Sequence, residues 1–229
     1  MTWTRRTDME LPIANREVAG QALAEALHVY RDRDDVIVLA LPRGGVPVAL
    51  EVANALGAQL DLMLVRKLGT PGQKELAMGA IASGGGRVMN EDVVRALAIS
   101  RQAIERVAEK EGRELKRREQ LYRGDRPWPD LAGRYVILVD DGLATGATMR
   151  AAVEAVRAQE PAHIVVAVPV APVDTIALLR EQVDEVVCLA EPHPFQAIGL
   201  WYTDFSQVSD EDVRYMLGVA WNEPAEEET

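Results

Sequence analysis

The stretch Val136-Ile-Leu-Val-Asp-Asp-Gly-Leu-Ala-Thr-Gly-Ala-Thr148 decides the fold, because it runs from an apolar strand through two acids into a loop of small residues. The unbroken apolar run, mostly β-branched, describes a strand covered on both faces, and residues 149–157 read as a helix. The loop therefore sits at a strand-to-helix corner. Gly142, Ala144, Gly146 and Ala147 let backbone N–H groups approach an anion, Thr145 and Thr148 add hydroxyls, and the helix presents its positive end. A phosphate fits such a corner without a lysine. Asp140 and Asp141 would repel that phosphate if they faced it, but they suit the neutral hydroxyls of a sugar. A ribose 5-phosphate satisfies both halves. The competing reading is a polar helix entry, since Thr and Asp commonly cap helices. Strand, acid pair, spacer and Thr-Gly-Ala-Thr in one register favour the ligand site.

Working outward, residues 36–41 form a second apolar strand, Pro42-Arg-Gly-Gly45 interrupts it, and residues 46–56 read as a helix stopped by Gly57. Residues 60–65 follow as a buried strand. Residues 164–170 and 185–189 are further strands, separated by a helix that starts near Pro172 or Val173. Alternation of this kind predicts an α/β fold, a mostly parallel twisted sheet flanked by helices, with ligands at the strand carboxyl ends. A helix over 16–30 has Asn15 as its cap, and Ser209 to Asp212 resembles a capping box. Around Ser83-Gly-Gly-Gly86, residues 77–90 suggest a hairpin over the sheet's edge. Residues 100–123 are a charged helix, stopped at Gly124, whose Ile104, Val107, Leu115 and Leu121 make only a thin apolar stripe. It reads as a solvated arm or a partner contact. The organisation expected is one domain over 1–221, with the charged helical insertion at 100–123, a hood at 190–208 and a disordered acidic tail at 222–229.

With 229 residues and 48% hydrophobic content, the chain can build one sizeable core. Its formal net charge of −11 disfavours a broad nucleic-acid surface, so anion binding must rest on local geometry. Cys188 is the single cysteine, so no disulfide can form within the chain, and its apolar neighbours place it in a buried strand. No segment approaches a membrane span and the start lacks an apolar signal core, so no membrane contact and a cytoplasmic location are expected.

Three further constellations carry chemistry. Pro42, Arg43, Gly44 and Gly45 repeat the strand-loop-helix logic and form either a second anion site or a glycine turn with a surface arginine. Arg66 and Lys67 end the next strand as adjacent cations, followed by Thr70-Pro-Gly-Gln-Lys-Glu75, a breaker-rich polar stretch that reads as a mobile flap or a solvated basic turn. Phe195, Trp201, Tyr202 and Phe205 concentrate aromatics near His193 in a chain with 5% of them, for base stacking or for a core or dimer contact.

The thirteen residues from Val136 to Thr148 resemble the phosphoribosyl pyrophosphate signature of type I phosphoribosyltransferases, and the resemblance runs in order over residues 36–189. It implies that Asp140 and Asp141 hold the ribose hydroxyls and that Ala144, Thr145, Gly146, Ala147 and Thr148 hold the 5-phosphate. Pro42 to Gly45 then correspond to the pyrophosphate loop, with a cis Pro42-Arg43 bond. Arg66 and Lys67, with Lys74, contact pyrophosphate. Phe195 and Trp201 are candidates for the base. Hypoxanthine-guanine members carry Asp where this chain has Ala144, which weakens that assignment; adenine-type members have Ala. The resemblance implies Mg²⁺, bridging pyrophosphate and the ribose hydroxyls near Asp140 and Asp141 rather than bound by a protein cage. The activity implied is transfer of a phosphoribosyl group from phosphoribosyl pyrophosphate to a nucleobase or related nitrogen acceptor, as in nucleotide metabolism and salvage. A non-catalytic sensor of phosphoribosyl pyrophosphate or nucleotide is the alternative. Family members commonly pair, so a homodimer is compatible with the resemblance.

Overall fold

The structure, a computed structural model, describes residues 9–221, and within that span the side chains of Lys74 and Glu75 are not described. The expected acidic tail at 222–229 lies outside the described residues. Five parallel strands form the main sheet, in the order β2-β1-β6-β7-β8. They are β1 Val36–Ala40, β2 Gln59–Leu62, β6 Tyr135–Val139, β7 His163–Val170 and β8 Glu185–Ala190. Their unbroken apolar runs are explained by burial on both faces. In β1, Val36, Val38 and Ala40 enter one core, while Ile37 and Leu39 enter the other. In β6, Ile137 and Val139 face the first core, and Val136 and Leu138 the second.

Helices α1 Arg16–Ala26, α2 Gly45–Leu56 and α7 Asp210–Ala220 cover the first face. Helices α5 Ala147–Arg157 and α6 Val173–Arg180 cover the second. The caps follow the sequence: Asn15 accepts from Val18 N–H at 2.9 Å, Gly57 ends α2 in the left-handed conformation, and Ser209 and Asp212 make a capping box. The first helix is shorter than expected, because Leu27 leaves helical geometry and residues His28–Tyr30 tighten into a 3₁₀ turn. Pro172 lies at the N-cap of α6 rather than inside it.

The order of the strands places the site. From β1 the chain turns through α2 on one face to β2, whereas from β6 it turns through α5 on the opposite face to β7. The loops after β1 and β6 therefore splay apart between neighbouring strands, paired Ala40 to Val139, and leave a crevice at the carboxyl ends.

A second, antiparallel sheet holds β3 Val65–Thr70, β4 Gln73–Ala82 and β5 Arg87–Met89. It corrects two expectations. The strand expected at 60–65 is two strands that belong to different sheets. Residues 70–75, expected as a breaker-rich polar loop, are a hairpin tip: Thr70 pairs with Gln73 across Pro71 and Gly72, and its hydroxyl donates to the Gln73 carbonyl at 2.8 Å. Pro-Gly is a tight-turn pair, so strand pairing continues almost to the corner. Helix α3 Glu91–Ala96 leads from this sheet to α4 Arg101–Arg123.

Helix α4 is not a free solvated arm. Leu115, Tyr122 and Arg123 are buried, Glu111 pairs with Arg66 of β3 at 2.6 Å, and Tyr122 donates to Asp210 of α7 at 2.5 Å. Arg123 forms a buried ion pair with Asp61 of β2. Burial pushes the Asp61 carboxyl up, and the charge of Arg123 opposes that shift. Leu115 and Leu121 of the thin stripe reach the first core, and charged and polar groups make the remaining contacts of α4, which an apolar stripe does not reveal. Arg123→Met should therefore strand a buried carboxylate and cost about 3–5 kcal/mol in urea unfolding, whereas Arg123→Met with Asp61→Asn should recover most of the loss. Equal stability of wild type and Arg123→Met would count against this role.

Candidate active site

Asp140 and Asp141 leave β6 at the crevice and behave differently. Asp141 is buried at 7% exposure, and its carboxylate takes the Nε–H of Arg16 at 2.7 Å. Its backbone carbonyl accepts the Tyr202 hydroxyl at 2.6 Å. Asp140 is only partly buried, and its Oδ1 accepts the Asp141 N–H at 2.8 Å. Burial, and then the neighbouring charge of Asp141, push the Asp140 carboxyl well above the ordinary carboxylate range. Burial also raises Asp141, but there the Arg16 guanidinium opposes the shift.

The loop after β1 touches this pair directly. A Cβ on Gly44 would overlap the Asp141 carboxylate, and one on Gly45 would come within 2.8 Å of the Val139 carbonyl and 3.2 Å of Asp140 Oδ1. The two glycines are thus required by the close approach of the acids, a reason separate from any anion. The Pro42-Arg43 bond is cis, as the resemblance implied. Gly45 N–H donates to the Leu41 carbonyl at 3.1 Å, which leaves the N–H groups of Arg43 and Gly44 as the donors this loop can offer a ligand.

The corner between β6 and α5 is open. Thr145, Ala147 and Thr148 are exposed, and Gly146, left-handed at φ 68°, caps α5 without any side-chain acceptor for the first-turn N–H groups. Ala147 N–H makes only a long 3.4 Å approach to Thr145 Oγ1. Below, Thr175 of α6 anchors the loop by donating to the Ala144 carbonyl at 2.7 Å. N–H groups without a side-chain cap and the positive helix end are the features that can hold an anion there.

The expected cations are dispersed. Arg43 points toward Asp210 of α7 at 3.5 Å. Arg66 is bound to Glu111 on α4, and strand alternation places the exposed Lys67 on the opposite face of β3. The Lys74 side chain lies outside the described residues. Phe195 and Trp201 face one another at 6.1 Å and pack, with Tyr202 and Phe205, against Ile13 and Val170 as a small third core. That core abuts the signature, because Ile198 and Val170 crowd Gly142. His193 is exposed.

Arg16 and Thr175 were not anticipated, and Tyr202 was expected only as one of the aromatic cluster, not as a donor to the Asp141 carbonyl. For Arg16 a signal existed: it opens α1, the helix end where a cation is disfavoured, and such a placement asks for a compensating carboxylate. Tyr202 and Thr175 act through tertiary contacts that no local pattern displays.

Because Asp140 holds its proton to higher pH in the folded chain than in the unfolded one, folded protein binds more protons. Its contribution to stability is present below the unfolded value of about 4 and is lost as pH rises through the folded value. Asp140→Asn removes that loss, so its thermal midpoint at pH 8 should exceed the wild type's, by about 2–4 °C for each kcal/mol gained. An unchanged melting profile between pH 4 and 8 in calorimetry would show that Asp140 titrates normally.

Residues 11–202 match the family model for the phosphoribosyl transferase domain. The provisionally named phosphoribosyl transferases MT0597 and Rv0571c, from two strains of Mycobacterium tuberculosis, are each 47% identical to the chain over 212 residues. Those matches cover 93% of this chain and 48% of each relative, so the chain spans about half the length of the curated relatives it matches. The crystal structure of TT1426 from Thermus thermophilus superposes with a TM-score of 0.79 at 43% identity, covering 93% of this chain and 98% of that one. With the domain matched over most of the chain, the chain belongs to the phosphoribosyl transferase family.

Proposed function

We propose that the chain transfers a phosphoribosyl group from phosphoribosyl pyrophosphate to a nucleobase or a related nitrogen acceptor, releasing pyrophosphate. The observation that carries this reading is the uncapped first turn of α5, open to solvent, lying one short loop from Asp140, a residue that is only partly buried. The donors suit a 5-phosphate, and Asp140 suits the hydroxyls of the same sugar. Cleavage at the anomeric carbon leaves positive charge on the sugar and negative charge on the leaving group, so the site must meet both. Asp140, once ionised, stabilises the sugar side. The N–H groups of Arg43 and Gly44, with Lys67, meet the leaving group.

Among the described residues no group of three or more His, Cys, Asp or Glu side chains could hold a metal ion. In this reading the Asp140 carboxylate would meet a cation carried in by a diphosphate ester. Magnesium bound in that way would neutralise part of the leaving-group charge. The hairpin tip at Pro71 and Gly72 is the segment nearest in character to a cover that excludes water from a reactive sugar cation. No described helix is long and apolar enough to cross a membrane.

A sensor that binds phosphoribosyl pyrophosphate without transfer has one observation in its favour: Arg43 and Arg66 are engaged by Asp210 and Glu111 rather than free for a leaving group. Incubation with phosphoribosyl pyrophosphate, Mg²⁺ and a panel of bases separates the two. Pyrophosphate release dependent on one acceptor supports transfer, and tight binding without release for every acceptor supports sensing. Thr145→Val should weaken ribose 5-phosphate binding roughly tenfold through loss of one hydroxyl donor, measured by calorimetry. Equal affinity of the wild type for ribose and ribose 5-phosphate would remove the phosphate assignment.

A further inference from the structure

We infer that helix α4 docks on the α4 of a second copy of this chain, running antiparallel about a two-fold axis that passes between Gly112 and Arg113. The helix is 23 residues long, about 35 Å at a rise of roughly 1.5 Å per residue. One flank of it is used inside the chain: Leu115 and Tyr122 are buried, and Glu111 and Arg123 pair with Arg66 and Asp61. Beside that flank runs an open groove of about 730 Å³, lined by Ile81, Leu115 and Trp128 together with the turn at Gly84 to Gly86. Glu109, Gly112, Lys116 and Glu119 form its helical side, and no residue of the crevice loops lines it.

The charges on this side are ordered so that the helix complements itself. Arg106, Glu109, Lys116 and Glu119 make no ion pair among the described residues, whereas Glu105 is taken by Arg87, and Glu114 by Arg117 and Arg118. Glu109 and Lys116 share one face, two turns apart, and stand equally far from the midpoint of the proposed axis, about 5 Å on either side. Arg106 and Glu119 are likewise equidistant, at about 10 Å. An antiparallel two-fold therefore places Glu109 against Lys116 of the partner subunit and Arg106 against Glu119 of the partner subunit, with each contact made twice. A parallel pairing would set Glu109 on Glu109 and Lys116 on Lys116, so the order of signs selects the antiparallel arrangement.

Gly112 marks the crossing point. A glycine inside a helix weakens it relative to alanine, and a Cβ at Gly112 would meet only Ile81 Cδ1, at 3.9 Å, which is ordinary contact. Nothing within one chain requires the glycine. In the pair it lies opposite Arg113 of the partner subunit, whose aliphatic stem needs that space for the two helices to approach. The apolar Ile81, Leu115 and Trp128 are then covered, and the interleaved charges form the rim, as at protein interfaces generally. A chain of net charge −11 repels its own copies at long range, so two copies can meet only where opposite signs alternate.

Sedimentation velocity of the full chain over a concentration series tests this, with circular dichroism to verify that each variant is folded. The wild type should sediment as a dimer that dissociates on dilution. Lys116→Glu and Glu109→Lys each set like charges opposite one another in both symmetric contacts, and each should weaken the dimer roughly tenfold or more. Mixing the two single variants should restore a dimer, because both contacts of the mixed pair are again opposite in sign. The double variant Glu109→Lys with Lys116→Glu should associate like the wild type. If either single variant does not fold, Arg106→Glu alone and with Glu119→Arg gives the same loss and recovery at the outer contact. A wild type that stays monomeric at every concentration overturns the inference, as does a dimer that Lys116→Glu leaves unchanged. Folded single variants that remain monomeric when mixed overturn the antiparallel pairing.

Discussion

Two loops that leave adjacent central strands meet here with no side chain between them. Gly44 and Gly45 lie against Asp141 and Asp140 so closely that any Cβ would displace an acid, and Arg16 clamps Asp141 from the far side. Everything near the crevice depends on that contact. It requires β1 and β6 to be neighbours in register, which the two cores enforce by burying alternate residues of each strand. It also requires the α2 and α5 connections to diverge onto opposite faces, which opens the space beyond the strand ends.

The electrostatics follow from the same crowding. A chain with a net charge of −11 has little long-range attraction to offer an anion, so an anion at the open start of α5 would be met by N–H groups and a helix end that act over a few ångströms. Next to it, two carboxyls are forced together in a half-dry setting. One is stabilised by an arginine; the other is left in an environment that disfavours its charge. An unsatisfied acid in a cleft costs stability without a ligand and favours a ligand that can satisfy it.

The periphery is held by polar contacts. Helix α4 straps the antiparallel sheet to the main body through Glu111 with Arg66, Tyr122 with Asp210, and the buried Arg123 with Asp61. The hood is a third small core in which Phe195, Trp201, Tyr202 and Phe205 close over Ile13, and it reaches the signature through Tyr202 and Arg16. Every one of these polar contacts joins residues at least 45 positions apart, so none of them leaves a local trace in the sequence.

Sequence alone determined the alternation of strands and helices, the burial of the signature strand on both faces, the small-residue loop that follows it and the glycine loop after the earlier strand. Each of these is written in a local pattern: β-branched runs, a cap, a small-residue loop. It also placed a hairpin near Ser83 and the helix at 101–123. What only the tertiary structure decided is how the charged groups are shared. Adjacent Asp140 and Asp141 read as equivalent, and adjacent Arg66 and Lys67 read as a pair. In the fold one member of each is taken by a distant partner, Arg16 in the first case and Glu111 in the second. Neighbours along a strand or at its end point in different directions, and a charge goes to whichever opposite charge the packing brings within reach; a sequence states the charges, but only the packed chain states the distances.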